Sequence, residues 1–149
     1  AEMRALRGEP SARTFGKLIK TAAKVGQRER AHRWLSEMGQ CGFSADRIVY
    51  LEMIDAAAQA QDPEAAGQWY SRMRAADLHP DVVVYTALIG AASRVGDLRL
   101  AERWFSVMTR ACVAPDDKAR TALLAAAAAA GESEALQTTW TELTRCSGE

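Results

Sequence analysis

The sequence has 149 residues, of which 48% are hydrophobic and 26% are charged, and its 19 basic residues are balanced by 19 acidic ones. This length and apolar content suit one domain, and a formal net charge of zero gives no overall electrostatic signal for a nucleic-acid partner. Three cysteines at no metal-ligand spacing argue against a zinc site or a disulfide framework and favour a reducing compartment. The longest apolar run, 122–130, is too short to span a bilayer, so no membrane insertion is expected.

The first third of the chain predicts the end of one helix and then a complete helix-turn-helix unit. Residues 1–10 match the end of a helix and the turn after it, and 11–45 show the apolar spacing of two amphipathic helices. Nine Lys and Arg residues against four Asp and Glu residues concentrate positive charge in positions 1–45. The first complete helix carries a basic stripe at i, i+3 and i+7 that is a candidate for binding phosphate. Its members are Lys17, Lys20 and Lys24.

The rest of the chain predicts three more pairs of short helices, over 46–80, 81–115 and 116–149. Within 81–115, apolar residues recur at helical spacing on either side of a Gly-Asp turn, and Pro115 ends the unit. The last pair has an alanine-rich first helix and a more polar second helix, and its sequence stops before a closing turn.

These units repeat one another at a shift of 35 residues, which aligns an aspartate at the start of three units and a tryptophan in three second helices. A fixed period with two helices in each unit is the signature of a helical solenoid, in which every unit buries its apolar faces against its neighbours. We therefore expect an all-α fold, a right-handed α-solenoid, with Trp34, Trp69 and Trp104 in equivalent environments on the second helices. The expected array has the end of a preceding repeat at 1–10, repeats at 11–45, 46–80 and 81–115, and an incomplete fourth repeat at 116–149.

Several features of this unit are shared with one known family. They are the 35-residue period, the aromatic-x-x-Leu-Ile sequence from Tyr85 to Ile89, the Gly96-Asp97 turn, the series Ala101, Phe105 and Met108, and the closing Pro-Asp at Pro80-Asp81 and Pro115-Asp116. On these features the chain resembles the pentatricopeptide-repeat family over essentially its whole length. The tetratricopeptide repeat has 34 residues and a Trp-Leu-Gly-Tyr pattern that is absent here.

The resemblance implies that the first helices line a groove for single-stranded RNA and that each repeat meets one base. In this family one base-reading residue follows the aromatic of the first helix, and the other stands at the end of the unit. Carried onto this sequence, the intact pair is Thr86 with Asp116, and the family's pairing of threonine with aspartate implies guanine. Val83 corresponds to the residue that packs on a base face, a role also open to Ile48.

The other repeats carry incomplete versions of this pair. Gly16 accompanies Asp46, Leu51 accompanies Asp81, and the partner of Thr121 lies beyond the sequence. An aspartate just before a helix is also a common N-cap, so the residues leave both a capping and a base-reading role open. The base-packing position is cationic in the first and fourth repeats, at Arg13 and Lys118.

No set of residues in the sequence points to catalysis. His32 and His79 lie in different columns of the repeat, and no glycine-rich phosphate loop follows a strand pattern. We expect a protein that is not an enzyme, needs no cofactor or metal, and binds single-stranded RNA in a mitochondrion or plastid, as the resemblance implies. The alternative is a protein-protein interaction scaffold or a subunit of an organellar assembly, because helical solenoids present large docking surfaces.

Overall fold

The computed structural model describes residues 11–131 and 133–146, and these form eight α-helices without a strand. The helices are α1 Ala12–Lys24, α2 Arg28–Gln40, α3 Arg47–Gln59, α4 Pro63–Ala75, α5 Val82–Arg94, α6 Leu98–Arg110, α7 Asp117–Ala130 and α8 Ser133–Cys146. The predicted all-α solenoid is confirmed, while the prediction for residues 1–10 lies outside the described residues. None of the described helices is long and apolar enough to cross a membrane.

The odd-numbered helices begin at capping side chains. Oδ1 of Asp46, Asp81 and Asp116 accepts the backbone N–H three residues further on, at 2.9, 3.1 and 2.8 Å. The hydroxyl of Ser11 accepts the N–H of Thr14 at 3.3 Å at the start of α1. Each cap satisfies a donor that the helix leaves unpaired, and it is worth about 0.5–2 kcal/mol. Two even-numbered helices begin with the same contact, at Asp62 and Asp97.

The core runs without interruption along the array, between the two helices of each pair and from one pair to the next. Ile19, Ile54 and Ile89, which share a column of the repeat, are fully buried. The second helices contribute small residues to the core, since an alanine lets two helix backbones approach closely. These alanines are Ala31, Ala66 and Ala101, and all three are completely buried.

Two layers of helices give the array its curvature. Neighbouring odd-numbered helices pack directly on one another, α1 on α3, α3 on α5 and α5 on α7. The backbones of α2, α4 and α6 do not touch one another, and large side chains bridge them, such as Tyr70 and Trp104 with ring centroids 4.9 Å apart. Because the odd-numbered helices are the more closely spaced, they lie on the inner side of the curve.

The tryptophan column is less uniform than expected. Trp69 is 4% exposed, whereas Trp34 and Trp104 are only half-buried. The indole of Trp69 contacts two side chains of the even-numbered helices. Its ring lies 4.7 Å from the His32 ring, and the guanidinium carbon of Arg72 lies 4.8 Å from its centre. The three positions are equivalent in the repeat, but their neighbours differ, and so does their burial.

The turn inside each repeat requires left-handed backbone geometry. Gly26, Gly96 and Gly131 adopt φ values of 77°, 73° and 71°, and Gln61 takes the same place in the second repeat with φ of 57°. A residue with a Cβ is strained in this region, so glycine is the usual choice. The glutamine shows that packing of the surrounding helices imposes the turn even where the residue does not favour it.

Candidate nucleic-acid interface

The exposed inner face of the odd-numbered helices forms a continuous strip, called here the inner groove. It is made by residues at i, i+4 and i+7 near the start of each helix, which share one face because of the helical period. The groove residues are Arg13, Lys17 and Lys20 on α1, Ile48, Glu52 and Asp55 on α3, Val83, Ala87 and Gly90 on α5, and Lys118 on α7. Its character therefore changes along the array, from basic at α1 to acidic at α3 and nearly neutral at α5.

Two cavities open along the inner groove. One, of about 400 Å³, lies between α1 and α3 and contains Gly16. The other, of about 260 Å³, lies over α5 between α3 and α7 and contains Thr86 and Asp116. They are called the α1–α3 cavity and the α5–α7 cavity below.

The α5–α7 cavity brings together the two residues that the sequence pairs. The Thr86 hydroxyl lies 2.7 Å from the carbonyl oxygen of Val82 and 3.3 Å from Oδ1 of Asp116, so its proton is shared between these acceptors. Oδ1 of Asp116 also accepts the N–H of Ala119 at 2.8 Å. Within the described residues, the second carboxylate oxygen, Oδ2, has no hydrogen-bond partner. One side chain thus caps α7 and still offers a free acceptor to the groove.

The surroundings of this pair include both apolar surface and charge. Val83, which lines the same cavity as Thr86, is 49% exposed and offers an apolar contact. Arg94 and Lys118 line the same cavity, and Asp55 faces it from α3. Partial burial and the nearby Glu52 carboxylate raise the pKa of Asp55, whereas the Arg94 guanidinium acts to lower it.

The remaining candidate positions have no comparable polar pair. Oδ1 of Asp46 and Oδ1 of Asp81 cap helices, and Oδ2 of Asp81 lies 3.6 Å from Nε of Arg47. The Thr121 hydroxyl is exposed and donates to the carbonyl oxygen of Asp117 at 2.7 Å. Ile48 is 60% exposed on the groove surface. Asp46 and Asp81 therefore stand in the expected column, but the base-reading positions that precede them, Gly16 and Leu51, offer no polar side chain.

The lysine stripe of α1 is partly neutralised by an acidic residue of the next repeat. Nζ of Lys20 lies 2.9 Å from Oε1 of Glu52. Lys17 lines the α1–α3 cavity, and Lys24 is exposed at the carboxyl end of α1. Sequence reasoning singled out the lysines but missed Glu52. The helical spacing of Glu52 from Ile48 would have placed it on the same face.

The described residues contain no group of three or more His, Cys, Asp or Glu side chains that could hold a metal ion. Cys41 and Cys112 are exposed free thiols.

Comparisons with known proteins agree with this architecture. A family model described as the pentatricopeptide repeat domain matches residues 70–117, which include the first helix of the third repeat and Asp116. No curated protein sequence matches the chain.

Solved structures resemble the whole array. The pentatricopeptide repeat protein PPR10 from maize superposes with a TM-score of 0.81 at 24% identity, over 97% of this chain and 21% of its own. The structure of PPR10 in complex with an 18-nt psaJ RNA element superposes with a TM-score of 0.80 at 23% identity, over 94% of this chain and 20% of its own. The PPR domain of Arabidopsis thaliana protein-only RNase P 1, solved with tRNA, superposes with a TM-score of 0.79 at 18% identity. The match covers 99% of this chain and 78% of that domain's chain. The chain thus spans about a fifth of the maize protein, and at these identities the likeness is one of fold.

Proposed function

We propose that the chain is a pentatricopeptide-repeat protein and that its inner groove binds single-stranded RNA with one base per repeat. The observation that carries the proposal is the contact between Thr86 and Asp116, whose Oγ1 and Oδ1 atoms lie 3.3 Å apart in one cavity. Two solved relatives of the fold, PPR10 and the RNase P domain, were captured with RNA.

Guanine is the base that this pair suits best. Its Watson-Crick edge presents N–H donors at N1 and N2, and the free Oδ2 of Asp116 is an acceptor. The Thr86 hydroxyl can donate or accept, so it can meet the adjoining part of the same edge. Val83 provides the apolar surface against which the face of the base packs.

The cations of the groove suit the phosphates of the same strand. Arg94 and Lys118 flank the cavity of the reading pair. Along α1, Lys17, Lys20 and Lys24 add positive charge, although the charge of Lys20 is offset by its ion pair with Glu52. Phosphate contacts of this kind supply affinity that is independent of sequence and falls with salt.

The affinity of this array for RNA is modest. Stacking on aromatic side chains is worth about 1–3 kcal/mol per base, so three usable repeats with aliphatic packing residues give at most about 3–9 kcal/mol before ordering costs. A micromolar complex requires about 8 kcal/mol. We expect a micromolar or weaker complex, and nanomolar binding that survives neutralisation of the α1 lysines would contradict the proposal. Residence in a mitochondrion or plastid is part of the proposal and rests on the family resemblance.

A second candidate function, docking of a protein partner, is favoured by the groove face of α3. There the strip carries the exposed apolar Ile48 and the acidic Glu52 and Asp55, and Leu51 occupies the base-reading position. Leucine makes no hydrogen bond to a base, and carboxylates repel phosphate. Such a surface suits a basic, apolar protein segment better than RNA, and the experiment below separates the two functions.

The test compares four RNA oligonucleotides that differ at one position, at a fixed salt concentration. The unmodified protein should prefer guanine there by about 5- to 150-fold, which corresponds to about 1–3 kcal/mol for one base contact. By the family's pairing rules, Thr86→Asn should move the preference toward uracil. The matched control is Thr121→Asn, in the same column but without a partner in the sequence, and it should leave the guanine preference unchanged. Equal binding of all four strands by every protein would leave the pair as a structural cap and favour protein docking.

A further inference from the structure

We propose that a cleft on the outer side of the array, between α2 and α4, docks an acidic segment of a partner protein, whose carboxylate binds among Arg28, His32 and Arg72. The cleft has a volume of about 320 Å³ and is called the outer cleft below. It exists because the backbones of α2 and α4 do not touch, so that side chains alone bridge the space between them. Since these helices lie on the outer side of the curve, the outer cleft is separate from the inner groove.

Trp69 forms the floor of the outer cleft. Its side chain is only 4% exposed, because other side chains cover it. The His32 ring lies 4.7 Å from the Trp69 ring, and the guanidinium carbon of Arg72 lies 4.8 Å from the centre of that ring. Nη2 of Arg28 lies 3.0 Å from Oδ2 of Asp62. These contacts hold the three groups in place before a ligand arrives, which lowers the entropic cost of binding.

The guanidinium of Arg72 has donors to offer a ligand. Arg72 is exposed, and it makes no hydrogen bond or ion pair within the described residues. A guanidinium carries its N–H donors in a planar fork, and two of them match the two oxygens of a carboxylate. Arg72 can therefore bind a carboxylate without giving up an existing partner.

The charges around His32 favour an anion in the outer cleft. Partial burial, and then the charges of Arg72 and Arg28, lower the pKa of His32. An anion bound among these groups relieves their repulsion, so the site is complementary to a negative ligand. Asp62 and Glu64 also line the cleft, and Asp62 is already paired with Arg28. A single carboxylate can avoid these acidic side chains, whereas they repel a chain of phosphates, so the cleft suits an acidic protein segment better than RNA.

The packing of the repeat does not require this cluster of charges. In the next pair of outer helices, α4 and α6, the positions of His32 and Arg72 are occupied by Gly67 and Val107. Trp104 still packs there, since a Cβ built on Gly67 would lie 3.4 Å from its Cζ2 atom. The outer layer therefore forms without the histidine and the arginine, and their presence between α2 and α4 calls for a role other than packing.

Peptide binding tests the proposal with the full chain. The probe is fluorescently labelled hexaglutamate at low salt, and hexalysine is the peptide of opposite charge. The unmodified protein should bind hexaglutamate and should not bind hexalysine. Arg72→Gln should weaken the binding of hexaglutamate by about 5-fold, the upper end of the range for a solvent-exposed ion pair.

Two control variants show where the peptide binds. Arg110→Gln makes the same change of charge at an exposed arginine of α6 that does not line the outer cleft. The second control neutralises the basic stripe of α1, which consists of Lys17, Lys20 and Lys24. Both controls should bind hexaglutamate as the unmodified protein does. Circular dichroism on heating establishes that each variant is folded.

The proton of His32 gives an independent measurement. A carboxylate beside the ring favours the protonated form, so hexaglutamate should raise the pKa of His32. By linkage, the affinity for the peptide should then increase as the pH falls from about 8 to about 6, and His32→Gln should remove this dependence. The ring signals in an NMR titration report the pKa directly. The sequence contains two histidines, and the signal that His32→Gln lacks is that of His32 rather than His79.

Four results would overturn the proposal. Hexaglutamate does not bind, or Arg72→Gln and Arg110→Gln weaken it equally, which indicates a general attraction to basic surface. Loss of binding in the lysine variant would place the peptide in the inner groove. Oligouridine that competes with the peptide, and whose own binding Arg72→Gln weakens, would make the outer cleft a phosphate site. The guanine preference of Thr86 and Asp116 should survive in Arg72→Gln, so this inference and the proposed RNA-binding function can fail separately.

Discussion

The hydroxyl oxygens of Tyr70 and Tyr85 lie 3.2 Å apart, and this hydrogen bond joins two side chains in different environments. Tyr85, on α5, is 1% exposed, whereas Tyr70, on α4, is only half-buried. Burial, and then the bond to Tyr70, raise the pKa of Tyr85 well above its usual range. The buried hydroxyl depends on its partner for a hydrogen bond, but the other hydroxyl can turn to water.

This asymmetry predicts unequal effects of two similar substitutions. Tyr70→Phe leaves the buried hydroxyl of Tyr85 unpaired and should cost about 1–3 kcal/mol of unfolding free energy. Tyr85→Phe removes the buried hydroxyl itself and should cost only about 0.5–1.5 kcal/mol. Urea denaturation of both variants gives the comparison, and the double variant should be more stable than Tyr70→Phe alone. Equal costs for the two single changes would show that water reaches the Tyr85 hydroxyl.

Asp116 is predicted to have two roles that substitutions can separate. Asp116→Ala removes the cap of α7 and should cost about 0.5–2 kcal/mol, while Asp116→Asn keeps an acceptor and should cost much less. Both should abolish the guanine preference, because both remove the carboxylate. Asp97→Ala is the control, since Asp97 caps α6 at the turn and does not line the inner groove. It should lose stability but keep the base preference, and retained preference in Asp116→Asn would argue against base reading.

The graded burial of the tryptophan column predicts graded stability losses. Trp69→Ala should reduce the free energy of unfolding by about 3–5 kcal/mol, the range for deleting a large core side chain. Trp34→Ala and Trp104→Ala should each cost less, because these side chains are only half-buried. Thermal and urea unfolding of the three variants check the order. An unchanged melting temperature for Trp69→Ala would mean that the column contributes little to the core.

His32 is predicted to make stability depend on pH on the acidic side of neutrality. Partial burial, followed by the charges of Arg72 and Arg28, lowers its pKa below the usual 6.5. The unfolded chain therefore takes up the proton first as pH falls, so stability is full above pH 6.5 and declines through the lowered folded pKa. His32→Phe keeps a ring against Trp69 and should flatten this part of the pH profile. If the stability of the variant falls by the same amount at low pH, other titratable groups cause the decline.

The ion pair between Lys20 and Glu52 predicts that one acidic residue limits RNA binding. Glu52→Gln removes a negative charge from the groove and frees the lysine, so affinity for single-stranded RNA should rise. Glu29→Gln, an equal change of charge on the exposed surface of α2, should have a much smaller effect. Neutralising Lys17, Lys20 and Lys24 together should weaken binding and reduce the salt slope by about 0.7 for each phosphate that the protein no longer neutralises. Unchanged affinity in both the glutamate and the lysine variants would show that the RNA strand does not bind along this part of the inner groove.

Local chemistry explains how much of the fold could be predicted from the sequence. The aspartate column marks helix starts because its carboxylates reach N–H groups only three residues away. The isoleucine column lies wholly in the core, since a fixed period puts equivalent residues in equivalent places. Such inferences need no knowledge of the distance between helices.

Contacts between repeats were harder to predict because they depend on helix spacing and side-chain rotamers. The pairing of Lys20 with Glu52 joins residues 32 positions apart, and the pair of Thr86 with Asp116 was expected only from the family resemblance. Arg120 is a sharper case, since it stands in the column of Phe15 and Tyr85. Its Nε is buried without a hydrogen-bond partner in the described part of the chain, while its Nη1 lies 3.6 Å from Oδ1 of Asp117. The repeat period alone did not predict that Arg120 replaces the aromatic ring of this column.

The capping contacts of Asp46, Asp81 and Asp116 restrict how a binding code in this fold can evolve. A residue in this column has to start a helix before it can recognise anything, and few side chains other than Asp, Asn, Ser and Thr do so well. Few residue types are therefore suitable at this position. New base preferences should therefore arise mainly through substitutions of the other residue of the pair, which does not cap a helix. In the four repeats this position holds Gly16, Leu51, Thr86 and Thr121, so only the last two repeats share a residue type there.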